Sequence, residues 1–168
     1  MNREMRRMAT RTKPAGRVCK PVAVNTMDMA KWRAARINKD DVREIMSSLL
    51  TSFKALREGL ASDNDWALLA SATNTAQAIE KLGVVRGLHA QFRLTELALQ
   101  AVEQRATASG GWRAPVLHAH ELDDIRAGLE FHRYQLLQLS NGEMMQAIAA
   151  AQAEVIGSGG RVLKGVNL

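Results

Sequence analysis

The residues of this chain that could bind a metal ion are mainly its four histidines, and two of them lie close together. His118 and His120 are two positions apart and are followed directly by Glu121. In an extended segment both imidazoles would lie on the same side and could hold a metal ion together with the carboxylate. In a helix the same spacing places them on different faces. We favour ordinary polar residues at the start of a helix over a metal site.

His132 is a second candidate, as a general base or a metal ligand, because it interrupts a helical stripe of leucine and isoleucine. Either role requires a carboxylate or another histidine that faces the ring. The nearest acid, Glu130, is two residues away and therefore lies on a different helix face. We predict that His132 is a core residue whose ring is hydrogen-bonded to a backbone or hydroxyl group.

Nucleophilic catalysis has little support in the sequence. Cys19 is the only cysteine, which excludes an internal disulfide and a cysteine-built zinc site. The glycine-rich stretches at 109–111 and 157–160 lack the Lys-Ser or Lys-Thr pair that follows a phosphate-binding loop. We expect a protein that is not an enzyme and that has no catalytic residues, no metal site and no cofactor.

One segment is similar to a DNA-binding motif. Residues 75–84 resemble the first helix and the turn of a helix-turn-helix, with Gly83 in the turn. Four residues after that turn could contact DNA: Arg86, His89, Gln91 and Arg93. However, Ile79 stands where the motif normally has alanine, and apolar residues interrupt the polar face of the next helix. We favour an ordinary helix that ends at Gly83, and the alternative is a sequence-specific DNA-binding regulator that uses residues 75–93.

The net charge of +6 is concentrated at the N-terminal end of the chain. Residues 1–40 contain eleven Lys and Arg against three acids, a charge of +8, whereas the other 128 residues contain twelve basic and fourteen acidic side chains, a charge of −2. Lysine and arginine displace the counterions condensed on nucleic acid, and an interleaved aromatic ring can stack on a base. The candidate nucleic-acid-binding residues are Arg3, Arg6, Arg7, Arg11, Lys13, Arg17, Lys20, Lys31, Trp32, Arg33 and Arg36. The alternative is a solvated tail that serves only solubility.

The composition and the apolar pattern favour helices. The chain of 168 residues is 46% hydrophobic and has only 12 Gly and 3 Pro, which is typical of one globular domain with few turns. From Asp40 onward apolar residues recur every three or four positions, the period of an amphipathic helix. We predict an all-α bundle of four to five helices at 40–156, with a flexible basic arm at 1–39 and a flexible Gly-rich tail at 157–168. No apolar run is long enough to cross a membrane.

Local signals predict where the helices begin and end. Ser62 and Ser140 each stand three residues before an acid, the spacing of an N-terminal cap. Gly83 is expected to end the second helix, and we expect the third over residues 84–108. The pair at 141–142, Asn-Gly, either separates the last two helices or lies within one kinked helix.

The last helix is rich in alanine. The alanines are Ala147, Ala149, Ala150, Ala151 and Ala153. Such small residues allow two helices to approach closely, so this helix could dock on a partner. The alternative is a surface helix in which alanine serves only helix propensity.

Several short strings resemble a group of small uncharacterised proteins encoded in proteobacterial genomes, often near mobile elements. The strings are Asp65-Trp66, 77–80 leading into 82–87, 111–115, Glu121-Leu122, and His132 followed by Tyr134-Gln135-Leu136. The resemblance covers about residues 41–155. It implies a bacterial, cytoplasmic, helical protein, and it implies no activity, so no functional residue is carried over.

These observations lead to one principal hypothesis about function. We predict a non-enzymatic, regulatory or accessory helical protein that binds a protein partner or itself and has no contact with membranes. Its basic arm would contact nucleic acid without sequence specificity.

Overall fold

The computed structural model describes residues 25–160, and every regular element within that range is a helix. The six helices are α1 Thr26–Ala34, α2 Lys39–Arg57, α3 Asp63–Leu82, α4 His89–Thr107, α5 Ala119–Gln138 and α6 Asn141–Gly157. The prediction of an all-α fold is confirmed, and the helices outnumber the predicted four to five. None of these six helices is long and apolar enough to span a bilayer.

The predicted capping residues do fix the starts of α3 and α6. The Ser62 hydroxyl accepts a hydrogen bond from the Asp65 N–H, and the Asp65 carboxylate accepts one from the Ser62 N–H at 2.9 Å. Ser140 and Glu143 form the same reciprocal pair at α6. The chain is extended at Ser140, so α5 and α6 are separate helices. Gly83 ends α3 with a φ of 80°, as predicted.

The structure differs from the prediction at two boundaries. Helix α1 lies inside the segment 1–39 that we predicted to be a flexible arm. None of its residues is buried, so it lacks the apolar stripe that identifies the other helices in the sequence. Helix α4 begins at His89 rather than at residue 84. Gly87 has a φ of 89°, a left-handed conformation that an α-helix does not contain, and the helix starts only after it.

The core consists of two apolar clusters that lie on two sides of α3. The larger one includes Leu56, Leu69, Leu99 and Leu136, which come from α2, α3, α4 and α5. The smaller one includes Ala78 and Ile79 of α3 with Ala147 and Ala151 of α6. Helix α3 therefore packs against α2, α4, α5 and α6.

Two tryptophans tie the loop between α4 and α5 to the rest of the bundle. The Trp112 indole N–H donates to the carbonyl of Ala61 at 2.8 Å, and that of Trp66 donates to the carbonyl of Leu99 at 2.9 Å. The two ring centroids are 6.1 Å apart and tilted by 49°. The connection is thereby held by a hydrogen bond to the segment between α2 and α3 and by ring contact with Trp66 at the start of α3.

Helices α4 and α5 approach each other closely at Gly128. A Cβ atom at this position would overlap the side chain of Thr95 and would lie 3.1 Å from the Thr95 Cβ. The Thr95 hydroxyl also lies 2.9 Å from the carbonyl oxygen of Asp124, to which it can donate across the α4–α5 interface. Glycine within a helix costs about 0.5–1 kcal/mol relative to alanine. The close approach of Thr95 explains why α5 contains one.

We expect Gly128→Ala to destabilise the fold by about 1–3 kcal/mol, because overpacking against Thr95 outweighs the gain in helix propensity. Adding Thr95→Ala removes most of the atoms that the new methyl group would meet. The double variant should therefore be more stable than the two single effects predict, by about 0.5 kcal/mol or more. Urea unfolding followed by circular dichroism measures all three variants. Strictly additive effects would show that Thr95 does not determine how closely α4 and α5 can approach at Gly128.

An ion pair at the α4–α5 interface joins the end of α4 to the start of α5. The two terminal nitrogens of Arg105 donate to the two carboxylate oxygens of Glu121 at 2.7 and 2.6 Å. The same carboxylate accepts from the backbone N–H of His118 at 2.8 Å, and the Glu121 side chain is only 2% exposed. Burial alone would raise the pKa of Glu121, but these hydrogen bonds hold that pKa below its ordinary value.

Removing the Arg105 side chain should strongly destabilise the fold, because it leaves the buried Glu121 carboxylate without its counter-charge. Arg105→Met is expected to lower the free energy of unfolding by about 3 kcal/mol or more. Arg43→Met is the matched control, since Arg43 pairs with Asp40 at 2.8 Å with both side chains more than 70% exposed (78% and 73%). The control should change stability very little, because exposed ion pairs contribute little. Similar losses in the two variants, measured by urea unfolding, would contradict this account.

Candidate functional site

The candidate nucleic-acid-binding residues lie partly outside the described part of the chain. Those outside it are Arg3, Arg6, Arg7, Arg11, Lys13, Arg17 and Lys20, together with Cys19. Lys31, Trp32 and Arg33 lie on α1, and Arg36 lies between α1 and α2. All four of these side chains are exposed.

Helix α1 does not gather its cationic residues on one face. Consecutive helical residues point about 100° apart, so Lys31, Trp32 and Arg33 point in three directions. Arg33 lines a groove between α1 and α6, and Arg36 forms an isolated β-bridge with Ser140. The structure therefore places Arg33 and Arg36 beside the start of α6, whereas Lys31 and Trp32 stand on the surface of α1.

The groove between α1 and the first turns of α6 is open and has a volume of about 680 Å³. Its walls include Met29 and Ala30 from α1 and Gln146 from α6. Gly142 makes the approach possible, because a Cβ there would lie only 3.1 Å from the carbonyl oxygen of Arg33. The Glu143 carboxylate in this groove is already bonded to Ser140, and the backbone and hydroxyl donors of Ser140 lower the pKa of Glu143. The groove therefore offers a concave surface and one cationic side chain, that of Arg33. Its carboxylate is already hydrogen-bonded and is not available as an acid or a base.

Helix α6 is apolar on both sides but buries only Ala147 and Ala151. We define its outer face as Met145, Ile148, Ala149, Gln152, Ala153 and Ile156, all of them exposed. Met145 is 50% exposed, Ile148 37% and Ile156 64%. Of the five alanines singled out in the sequence, two serve internal packing and the others remain on the surface.

The helix-turn-helix candidate spans the end of α3 and the start of α4. Ile79 is fully buried and packs in the cluster shared with α6. Arg86, His89 and Arg93 reach the surface, but Arg93 is paired with Glu96 on its own helix at 2.7 Å. Gln91 is half-buried, and its side-chain amide lies 3.4 Å from the carbonyl oxygen of Asp124. The structure thus brings three of the four predicted contact residues to the surface and engages the fourth inside the fold.

Glu80 has a structural role that the sequence analysis missed. One of its carboxylate oxygens accepts from the backbone N–H groups of Leu88 and His89 at 2.9 and 2.8 Å. Leu88 occupies the N-cap position of α4 and has no side-chain acceptor of its own, so α3 supplies the cap. An apolar N-cap residue was the available signal, because it requires an acceptor from elsewhere in the chain.

The pair His118 and His120 lies at the start of α5, as favoured in the sequence analysis. The two rings stack with centroids 5.7 Å apart and planes inclined by 5°. The Glu121 carboxylate is already taken by Arg105 and by the backbone N–H of His118. Among residues 25–160, no three His, Cys, Asp or Glu side chains are grouped so that they could hold a metal ion.

His132 is buried in the core, as predicted, with 3% of its surface exposed. Its ring nitrogen Nδ1 lies 3.4 Å from the side-chain oxygen of Gln135, so the partner is a side-chain amide and not the predicted backbone or hydroxyl group. Gln135 in turn donates to the carbonyl of Ala76 at 3.1 Å. Burial lowers the pKa of His132 to about 4, although the bond to Gln135 acts in the opposite direction. The ring is therefore neutral at pH 7, and Gln135 connects it to α3.

No protein-family model matches this chain, and no curated protein or solved structure is found to be similar to it. Its function is therefore inferred from its own residues.

The buried ring of His132 should make the stability of the fold depend on pH. Its pKa is about 4 when folded against an ordinary 6.5, so the unfolded chain binds more protons between these values. The free energy of unfolding is therefore not reduced by this group above about pH 6.5. It falls by up to about 3 kcal/mol as the pH decreases toward 4, because protonation then favours the unfolded chain. His132→Leu should flatten the slope of unfolding free energy between about pH 4.5 and 6.5, measured by urea unfolding at several pH values. The carboxylates with lowered pKa, such as Glu121, lose their contribution at lower pH. An unchanged slope would show that His132 is not the group responsible.

Proposed function

We propose that this chain is a non-enzymatic helical interaction protein, regulatory or accessory in role, of the bacterial cytoplasm. Its basic N-terminal region would hold nucleic acid without sequence specificity, and its helical body would bind a protein. The observation that supports this most directly is the separation of charge along the chain.

The unbalanced positive charge lies before α1. Residues 1–24 contain seven Lys and Arg against one acid, a charge of +6, whereas residues 25–160 contain fourteen against sixteen, a charge of −2. Several cations of the body are also paired with acids: Arg43 with Asp40, Lys81 with Glu154, Arg93 with Glu96 and Arg105 with Glu121. Phosphate groups would therefore be attracted to the N-terminal region much more than to the helical body.

Helix α1 extends the positive region onto the folded body. Lys31, Arg33 and Arg36 are exposed, and none of them forms an ion pair with another of the described residues. Trp32 is 47% exposed, which leaves a large part of its ring open to stack on a base. These residues would support binding as individual phosphate and base contacts, since they do not form one face.

Sequence-specific binding through residues 75–93 has less support. A recognition helix usually presents its N-terminal residues to DNA. The N–H groups at the start of α4 are already bonded to the Glu80 carboxylate, whose negative charge would repel DNA phosphates. The pairing of Arg93 with Glu96 removes another cation from that surface.

The nucleic-acid part of the proposal is tested by fluorescence anisotropy of a labelled duplex of mixed sequence. The full chain should bind the duplex, and the logarithm of its affinity should fall linearly with the logarithm of salt concentration. The test variant has glutamine in place of Arg3, Arg6, Arg7 and Arg11. Its affinity should be lower, and its salt dependence should be less steep by about 0.9 for each phosphate that the variant no longer neutralises.

A matched control makes the same change in net charge on the helical body. It has glutamine in place of four exposed arginines: Arg43, Arg57, Arg126 and Arg133. Its salt dependence should stay close to that of the native chain. Full-length variants are needed because truncation at Asp41 would remove α1 and also Ile37, whose N–H donates to the carbonyl of Leu139 at 3.1 Å.

Three outcomes would change the proposal. Equal weakening by the test and control variants, or no binding by the native chain at moderate salt, would overturn the nucleic-acid part. A preference for one DNA sequence that survives the test substitutions would instead favour the regulator that uses residues 75–93.

A further inference from the structure

The outer face of α6 carries no charged residue along its whole length. The two acids of the helix are engaged elsewhere, Glu143 in the cap with Ser140 and Glu154 with Lys81 at 2.7 Å. A helix that has one face in water normally carries charged or polar residues on that face. On this face Gln152 is the only polar side chain. Such a face is typical of a surface that another molecule covers.

Two other groups of exposed apolar residues lie among charges. Leu94 and Leu97 on α4 alternate with Arg93 and Glu96, which are paired at 2.7 Å. Phe131 and Tyr134 on α5 are similarly flanked by Glu130 and Arg133. The α6 outer face differs from these surfaces because its apolar residues are next to one another and have no charged neighbour on the face.

The spacing of the outer face is that of a helix–helix seam. Positions 145, 149, 152 and 156 are separated by four, three and four residues, the a and d spacing of a coiled coil. Two such helices related by an antiparallel two-fold axis pair Met145 with Ile156 and Ala149 with Gln152 of the other copy. The same axis places the Ile148 side chains of the two copies along one flank of the seam and the two small Ala153 side chains along the other. The surface is therefore complementary to itself, as a two-fold interface requires.

We propose that a second copy of this chain covers the α6 outer face, with the two α6 helices antiparallel. Charge favours this occupant. The outer face has no charged residue, so two copies meet there without like charges facing each other. A highly charged partner would find no complementary group on this face.

Charge also favours the antiparallel orientation. Helix α1, with Lys31 and Arg33, packs beside the first turns of α6. Antiparallel packing therefore places the two α1 helices near opposite ends of the pair, and it also opposes the two helix dipoles. Parallel packing would bring the two α1 helices, with their like charges, together.

The size of the face sets the expected strength of the dimer. Helix α6 has 17 residues and is therefore about 25 Å long. A single helix pair of this length buries less than the about 800 Å² per partner of a standard interface. We therefore expect reversible association in the micromolar range. This inference names the protein partner of the proposed function, and it is measured independently of nucleic-acid binding.

Analytical ultracentrifugation of the full chain between about 1 and about 500 µM tests the dimer. A reversible monomer–dimer equilibrium is expected. Met145→Lys and Ile156→Lys should each raise the dissociation constant about tenfold or more, because each places a cation in an apolar seam. Leu60→Lys is the matched control, since Leu60 is 77% exposed in the connection before α3 and should not affect the equilibrium.

The double variant Met145→Lys, Ile156→Glu tests the orientation. In the antiparallel dimer the introduced lysine of each copy faces the introduced glutamate of the other, so most of the affinity should return. In a parallel dimer like charges would meet, and association would weaken further. Positions 145 and 156 are at least half exposed, so all variants should keep the unfolding midpoint of the native chain, which circular dichroism verifies.

A chain that stays monomeric over the whole concentration range would overturn the inference. So would a dimer that both single lysine variants leave unchanged. A dimer that weakens in both single variants and is not restored in the double variant would overturn the antiparallel arrangement. The arginine variants used for nucleic-acid binding leave α6 unchanged, so a failure of either proposal is recognised separately.

Discussion

The packing of α3 against four other helices is the constraint on which the rest of the fold depends. One helix can contact so many neighbours only if its side chains are small where the neighbours approach closely. Ala76 and Ala78 are almost completely buried on two sides of α3. At Ala76 the amide of Gln135 reaches the backbone carbonyl at 3.1 Å, and at Ala78 the alanines of α6 come into contact. The position of α6, and with it the direction of its outer face, follows from this packing.

Two carboxylates accept hydrogen bonds from backbone N–H groups at helix starts and also connect one helix to another. Glu80 of α3 closes the start of α4, where the N-cap residue is a leucine. Glu121 of α5 accepts from His118 and is held by Arg105 of α4. Each of these acids satisfies backbone donors at a helix start and fixes how one helix meets the next. The connections are thereby tied to the bundle, and the helices keep a defined orientation.

The sequence was sufficient for features that depend on neighbouring residues. The caps at Ser62 and Ser140, the stop at Gly83 and the burial of His132 each follow from a spacing of a few positions. Helix α1 was missed because its stabilising contacts are with α6, more than a hundred residues away in the chain, and it has no apolar stripe. The start of α4 was misplaced because its cap comes from Glu80.

The candidate surfaces show the same division between local and long-range information. The cluster of cationic residues around Trp32 is visible in the sequence. That Lys31, Trp32 and Arg33 point in different directions could be seen only after the structure showed that they lie on a helix. The alanines of α6 are visible as a composition, but periodicity alone did not decide which of them face α3. Burial of Ala147 and Ala151 leaves Ala149 and Ala153 on the outside. Only this assignment shows that the outer face has no charge.

The two proposals are connected by the position of α1. It packs beside the first turns of α6, and the basic residues 1–24 precede it in the chain. In an antiparallel α6 pair, the two α1 helices would lie near opposite ends of a helix about 25 Å long. Two basic regions attached so far apart could contact separate stretches of one nucleic acid instead of competing for the same phosphates. Linking two weak contacts increases the overall affinity without any new contact, because the second contact forms at a high effective concentration. A modest helical interface and a short cationic segment would then suffice together, although neither is strong alone.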